Sequence, residues 1–360
     1  MADGSCYTAG TRARVGRWLR VHSLPSSGGV RASQARVDVD QVGSVQGKDF
    51  VGVGDLDRSR LAAVLARASE LKADQRARRP HPLLTGRTLA LVFQKPSLRT
   101  RVSFEVGMAQ LGGRALYLSP NEIRLGERED AVDAARVLSR MVDGIVARTY
   151  LHADVQTLAR NAAIPVINGL SDREHPCQIL ADLLTIRERV GGDLLGQVMA
   201  FVGDGNNVAH SLMLAAPMVG LNLRVATPPA YRPDPEVTSQ AMEEARRAGT
   251  ELRVMDDPIE AVGGARFVYT DTWFSMGQED EAEPRRVAFA PYQVNDELLR
   301  AAGSEAVAMH CLPAHRGEEI AHSVLDGPRC IAYEQAENRV HAQKALLAHL
   351  LGPWTCCGNG

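Results

Sequence analysis

At 360 residues the chain exceeds the usual single-domain size, so two domains sharing a cleft are expected. With 41 Lys+Arg against 43 Asp+Glu, its formal net charge of -2 creates no overall field favouring nucleic acid or an anionic membrane, and no apolar run approaches the length of about 18 that suggests a membrane span. Cys6, Cys177, Cys311, Cys330, Cys356 and Cys357 are too scattered for a disulfide framework, so a reducing compartment, the cytoplasm, is expected.

Residues 1–47 carry Arg12, Arg14, Arg17, Arg20, Arg31 and Arg36 among Ser, Gly and Ala without a hydrophobic period, which reads as a disordered extension. An Arg-rich, acid-poor start also suits a transit peptide, but Asp38 and Asp40 spoil its end, so a dispensable extension is preferred. A helix follows with Leu56, Leu61, Val64, Leu65, Ala68 and Leu71 on one stripe, ended by Arg76-Ala77-Arg78-Arg79-Pro80. Then strands and helices alternate: strand 88–93, helix 98–111 with Val102, Val106 and Ala109 at helical spacing, strand 114–118, helix 129–142, strand 144–147, helix 152–161 and strand 164–167. After a helix from Gln178 to Val190, a second series runs through strand 197–202, helix 207–219, strand 221–226, helix 235–248, strand 266–270 and strand 306–310. A helix from Glu334 to about Leu351 is stopped by Gly352-Pro353. Alternation of this kind predicts two parallel-sheet α/β domains.

The turn after the first strand is the densest in chemistry. Phe93-Gln94-Lys95-Pro96-Ser97-Leu98-Arg99-Thr100-Arg101 places hydroxyl and guanidinium groups at a helix start, where free N–H groups and the helix dipole favour an anion. Those residues alone leave two readings open, a phosphoryl site or a Ser97 cap with Arg99 and Arg101 in solvent. His175 and Gln178, entered through Pro176, share one helix face and can address one ligand, although a plain Pro-led helix start explains them as well.

Gly203-Asp204-Gly205 after a strand invites a dinucleotide reading and fails it. The third glycine falls at Val208, and the next strand ends in Thr227-Pro228-Pro229 with no acid for a ribose, so a nicotinamide enzyme is set aside. Asn207 stands open between helix cap and ligand group. Asp271 follows a strand at the carboxyl end where open α/β sheets put ligands, and it can hold an ammonium; an exposed acidic loop is the plainer reading. His310-Cys311-Leu312-Pro313-Ala314-His315 suggests metal, but structural zinc normally shows a second paired cluster and none lies nearby, so no metal is expected. A lone buried thiol is usually inert.

Taken in order, these motifs, with Arg148 after Gly144-Ile145-Val146-Ala147 and Asp271-Thr272-Trp273-Phe274-Ser275-Met276-Gly277, resemble the aspartate/ornithine carbamoyltransferases from about Lys48 to about Leu351. The resemblance implies transfer of the carbamoyl group of carbamoyl phosphate to an amine without a cofactor or a metal. It implies a carbamoyl phosphate domain at 48–181, an ornithine domain at 182–333, a cleft between them, and a last helix, 334–352, returning to the first domain. Ser97, Leu98, Arg99 and Thr100 are implied to cradle the phosphate with Arg148, while His175, Gln178, Arg339 and the Leu312 carbonyl meet the carbamoyl group. Asn207, Asp271, Ser275 and Met276 are implied to recognise L-ornithine, and Cys311 to lie beside its side-chain amine. Catalysis falls to Cys311, Asp271, Arg148 and His175. The Ser275-Met276-Gly277 signature favours ornithine over aspartate; putrescine and N-acylated ornithine are the rival acceptors. Two positions depart from the family, Leu98 where Thr is frequent and Arg124 where Gln is frequent. Arg124 lies on a loop that in the family reaches a neighbouring subunit's site, so a homo-oligomer built on trimers is expected, with no nucleic-acid or membrane partner.

Overall fold

The computed structural model describes residues 49–274 and 279–352. The expected extension at 1–47 and the expected ligand residues Ser275 and Met276 lie outside the described residues. The first half opens with α1 (Arg58–Arg76), capped where Asp57 Oδ1 accepts from Arg60 N at 2.8 Å, its buried stripe running through Leu61, Val64, Leu65, Ala68 and Leu71. It continues as β1 (Thr88–Phe93), α2 (Leu98–Gln110), β2 (Arg114–Leu118), α3 (Pro120–Ile123), α4 (Ala131–Leu138), β3 (Gly144–Arg148), α5 (His152–Asn161), β4 (Val166–Leu170) and α6 (Pro176–Val190). These strands form a parallel sheet in the order β2-β1-β3-β4. Leu89 to Phe93 are all buried, the unbroken apolar run a parallel strand needs when helices cover both faces.

The second half runs β5 (Val198–Val202), α7 (Asn207–Ala215), β6 (Asn222–Ala226), α8 (Pro235–Ala248), β7 (Leu252–Met255), α9 (Pro258–Val262), β8 (Phe267–Thr270), α10 (Ala282–Phe289), α11 (Asp296–Ala302), β9 (Val307–His310), α12 (His322–Leu325) and α13 (Ala332–Leu351). Its sheet is parallel too, ordered β7-β6-β5-β8-β9. The fold is two parallel-sheet α/β domains. α13 packs on α6, α1 and α2, and α6 is buried at every residue from Pro176 to Ile186. Each fully buried Leu or Ile on such a helix is worth about 1.5–3 kcal/mol, so α6 anchors one apolar core reaching from Leu89 and Val146 to Phe201 and Leu346. Among the described residues no helix is long and apolar enough to cross a membrane.

Three differences from the sequence reading have physical causes. β4 begins at Val166 and continues to Leu170, beyond the expected stop at Ile167. Asn168 is tied in by Nδ2 donating to Val51 O at 2.9 Å, and a Cβ on Gly169 would lie 3.1 Å from Val146 Cγ1, so glycine permits the close β3–β4 approach. The pairing register shifts between Ala147 and Arg148, because Ala147 opposes Asn168 and Arg148 opposes Leu170, so Gly169 is the extra residue on β4. On α2 the stripe Leu98, Val102, Val106 faces outward, while Thr100, Ser103, Phe104, Gly107 and Met108 form the buried face. Strand β7 and helices α3, α9, α10, α11 and α12 lie outside the sequence expectation; each is short, and β7 has an exposed Arg253 within it.

The order in which strands are added reverses once in each sheet, between β1 and β3 in the first and between β5 and β8 in the second. Loops leaving the carboxyl ends of strands diverge at such points and open a crevice.

Candidate active site

A cleft of about 750 Å³ is lined from both reversal points. From β1 and α2 come Lys95, Ser97, Arg99 and Thr100; from β3 comes Arg148. Ser97 Oγ accepts from Thr100 N at 3.3 Å and donates to Thr100 Oγ1 at 3.1 Å, so it caps α2 and lines the cleft at once. Arg99 enters the cleft too. Arg101 does not: it pairs with Glu105 at 2.9 Å and lies 4.0 Å over the Tyr117 ring. Leu98 is 73% exposed and is not among the lining residues.

Four cations crowd this end. Burial and Arg148 draw Lys95 down to about 8, while burial, Arg339 and Arg99 draw Arg148 to about 9, still cationic at neutral pH. Arg99 and Arg339 are lowered as well, burial being the largest cause in each. Crowded, desolvated cations are relieved by an anion between them. Arg148 Nε and His175 Nδ1 are buried polar atoms with no protein partner among the described residues.

The middle of the cleft is built by α6 and α13. Arg339, 2% exposed, donates from Nη1 to Gln178 Oε1 at 2.6 Å and from Nη2 to Thr100 Oγ1 at 3.1 Å, and Nη1 lies 3.5 Å from His175 Nε2. Burial and the surrounding guanidinium groups hold His175 well below its ordinary pKa, so it is a neutral imidazole. Its backbone N donates to Ser211 Oγ at 3.0 Å. Asp182, one turn beyond Gln178, accepts from Gln178 Nε2 at 2.8 Å; burial raises it to about 6, against the pull of its hydrogen bonds.

The second reversal point supplies a different chemistry. Asp271 Oδ1 accepts from Cys311 Sγ at 2.9 Å, and Oδ2 accepts from Asn206 Nδ2 at 2.8 Å. Burial and Asp271 push the Cys311 thiol well above its usual range, so it is a neutral donor, not a thiolate nucleophile. Leu312 follows in the left-handed region at φ 57, where a non-glycine residue is strained by about 1 kcal/mol or more, and its N donates to His310 Nδ1 at 2.8 Å. Asp271, His310 and Cys311 bring possible ligand atoms within 4.8 Å of one another. Those atoms are already committed, His310 Nε2 facing Glu319 Oε1 at 3.2 Å, so the trio is a hydrogen-bonded cluster.

Gly203 and Gly205 shape the β5–α7 turn. Gly203 sits at φ +146, and a Cβ on Gly205 would overlap Pro233 N. Asn206 caps α7 by accepting from Val208 N at 3.0 Å and lines the cleft beside Asn207, which donates to Ser171 O at 2.6 Å. Arg124 is not part of this cleft; it pairs with Glu127 at 2.7 Å on an exposed loop.

Residues 48–188 match the family model described as aspartate/ornithine carbamoyltransferase, carbamoyl-P binding domain. Residues 195–350 match its companion, the Asp/Orn binding domain. The chain belongs to the aspartate/ornithine carbamoyltransferase family. Within that family it is 53% identical over 311 residues to the ornithine carbamoyltransferase of Carboxydothermus hydrogenoformans, covering 86% of this chain and 100% of that protein. The solved ornithine carbamoyltransferase from Pyrococcus furiosus superposes with a TM-score of 0.82 at 51% identity, covering 86% of this chain and 99% of that one. The enzyme of that name from Gloeobacter violaceus gives 0.75 at 48% identity, covering 85% and 99%.

Several cleft residues of this family member escaped the sequence reading. Lys95 stands inside the Phe93–Arg101 motif, yet nothing local says that its ammonium lies 5.0 Å over Tyr150. Asn206 lines the cleft and holds Asp271, and no sequence signal separates it from Asn207. Asp204 pairs with Arg285 of α10, 81 residues away, at 3.1 Å, and Arg285 Nη1 also donates to Trp273 O at 2.9 Å, tying the end of β5 through α10 to the segment after β8. Asp182 had one readable signal, its place one helical turn after Gln178.

Proposed function

We propose that this protein transfers the carbamoyl group of carbamoyl phosphate to the side-chain amine of L-ornithine, giving L-citrulline and phosphate. One observation carries the reading: a crowded cation site and the Asp271–Cys311 pair share a single cleft. An anion and an ammonium can therefore bind side by side.

In this reading Ser97, Arg99, Thr100 and Arg148 hold the phosphate. Leu98 contributes there through its backbone alone, since its side chain is exposed. Thr100 Oγ1 already accepts from Ser97 and Arg339, so its own proton is free to donate to the ligand. Asp271 and Cys311 hold the acceptor amine, with Asn207, Ser275 and Met276 reading the amino-acid end. An alkylammonium has a reference pKa near 10.4, so ornithine must lose a proton before its nitrogen attacks, and a dry cleft lowers that pKa. Attack on the carbamoyl carbon gives a tetrahedral oxyanion facing Thr100, His175 and Arg339. Collapse expels phosphate, which takes the proton, while the Leu312 carbonyl accepts from the carbamoyl amide. Neither a covalent enzyme intermediate nor a cofactor is required, because holding two substrates in register supplies much of the rate.

The domain assignment proposed with this reaction places carbamoyl phosphate on 48–181 and ornithine on 182–333, with 334–352 returning to the first domain. The packing of α13 on α1 and α2 supports that return. A cytoplasmic location is proposed from the free thiols of Cys177, Cys311 and Cys330. A homotrimer or a multiple of it, with Arg124 serving a neighbouring site, is supported by the outward apolar stripe of Leu98, Val102 and Val106.

An acceptor panel tests the substrate. With carbamoyl phosphate present, L-ornithine is expected to outpace putrescine, N-acetylornithine and aspartate by about a hundredfold or more in kcat/KM, the discrimination a buried charged contact supplies. Preference for any other acceptor refutes the assignment.

A further inference from the structure

Asp182 is fully buried on α6 and sits behind the cleft wall. Its Oδ1 accepts from Gln178 Nε2 at 2.8 Å and from Gln335 Nε2 at 3.0 Å; its Oδ2 accepts from the Tyr269 hydroxyl at 2.9 Å. Both glutamines are engaged at their other ends. Gln178 Oε1 accepts from Arg339 Nη1 at 2.6 Å, and Gln335 Oε1 accepts from His310 N at 2.8 Å. An amide has one donating and one accepting end, whereas a carboxylate only accepts. Asp182 therefore dictates how both amides face. Were either to turn over, its NH2 group would confront Arg339 or the His310 N–H, donor against donor, among buried groups where such a mismatch is costly.

We propose that Asp182 is a positioning residue for carbamoyl transfer. One carboxylate orients Gln178, which aims Arg339, and orients Gln335, which fixes the His310–Leu312 turn beside the acceptor amine. The inference rests on the reaction proposed above. It joins α6, α13, β8 and β9, so the carbamoyl-facing and amine-facing groups are set by the same side chain.

This role makes an unusual prediction for paired substitutions. Asp182→Asn keeps the shape of the side chain. With its oxygen toward both glutamines and its NH2 toward the Tyr269 oxygen, which then accepts, both amide orientations survive. Tyr269→Phe alone leaves a carboxylate, which offers an acceptor whichever way it turns. Only when both are changed is the Asn amide released to present its NH2 to the glutamines.

The experiment is the double-mutant cycle Asp182→Asn, Tyr269→Phe and the pair, measured in the full-length protein. The readouts are kcat/KM for carbamoyl phosphate, the inhibition constant of inorganic phosphate and the thermal midpoint. Expected singles lose about tenfold or less, and the pair loses at least about tenfold more than their product, with phosphate inhibition shifted by no more than about threefold. Phosphate affinity is largely kept because Ser97, Arg99 and Arg148 make no hydrogen bond to Asp182 or its two glutamines, and only Thr100 touches the network, through Arg339. An additive cycle, or phosphate inhibition weakening in step with turnover, overturns the inference. If the unsubstituted protein forms no citrulline, the proposed reaction fails; if it does and the cycle is additive, only the role of Asp182 fails.

Discussion

Lys95 is held in the cleft wall with its ammonium 5.0 Å from the Tyr150 ring centre, and its pKa is drawn to about 8 by burial first and Arg148 second. A bound dianion favours the protonated form, so affinity is full below that value and is lost as pH rises through it. Inhibition by inorganic phosphate is expected to weaken by about tenfold between roughly pH 7 and pH 9, and Lys95→Met should flatten that profile. A profile unchanged by the substitution would place Lys95 outside the anion site. At the other end, Asp271→Asn keeps the shape but loses the charge that holds an ammonium. Its kcat/KM for ornithine is expected to fall about a hundredfold, while KM for carbamoyl phosphate stays within about threefold. Equal damage to both substrates in steady-state kinetics would contradict the two-ended cleft.

Glu174 shows how elements are joined behind the site. Its Oε2 accepts from Val53 N at 2.9 Å and from Ser211 Oγ at 3.1 Å, linking the segment before α1, the start of α6 and the body of α7. Burial raises this carboxyl to about 7, from an ordinary 4.5. Because the folded state binds the proton more tightly than the unfolded one, its contribution is full at acid pH and declines as pH rises through about 7. Glu174→Gln removes that decline. In thermal unfolding the variant should be more stable than the parent at about pH 8, by about 2 kcal/mol, with the gap closing near pH 5; a gap that ignores pH would refute this.

The same elements show what could be read from the chain. Ser97, Arg148, His175, Asp271 and Cys311 were legible because each stands at or just past the end of a strand or at a helix start, where residue type and position in the motif are both local. The outward face of α2 was not, since an apolar period marks a helix without saying what lies against it. Asn206 and Asn207 both line the cleft, and a single residue of turn geometry decides that Asn206 is the one that caps α7. Asp182 depends on Gln335, which is 153 residues away, and on Tyr269, which is 87 away. Such contacts are made by folding and leave no local pattern.

At the scale of the molecule, two parallel sheets each open a crevice at one reversal point, and α6 with α13 brings the crevices into one cleft. The stripe of Leu98, Val102 and Val106 lies outside that cleft and is left bare by the single chain. Leu98→Glu with Val102→Glu should shift the mass measured by sedimentation from an oligomer toward a monomer, because a charge on a buried interface costs several kcal/mol. An unchanged mass would remove this face from the assembly. The central claim is that one cleft joins an anion to an amine. It is tested most directly by following phosphate release from carbamoyl phosphate with and without L-ornithine while citrulline is measured in the same samples. Rapid release that needs ornithine and matches citrulline one for one is the predicted result; release indifferent to ornithine, or without citrulline, would contradict it.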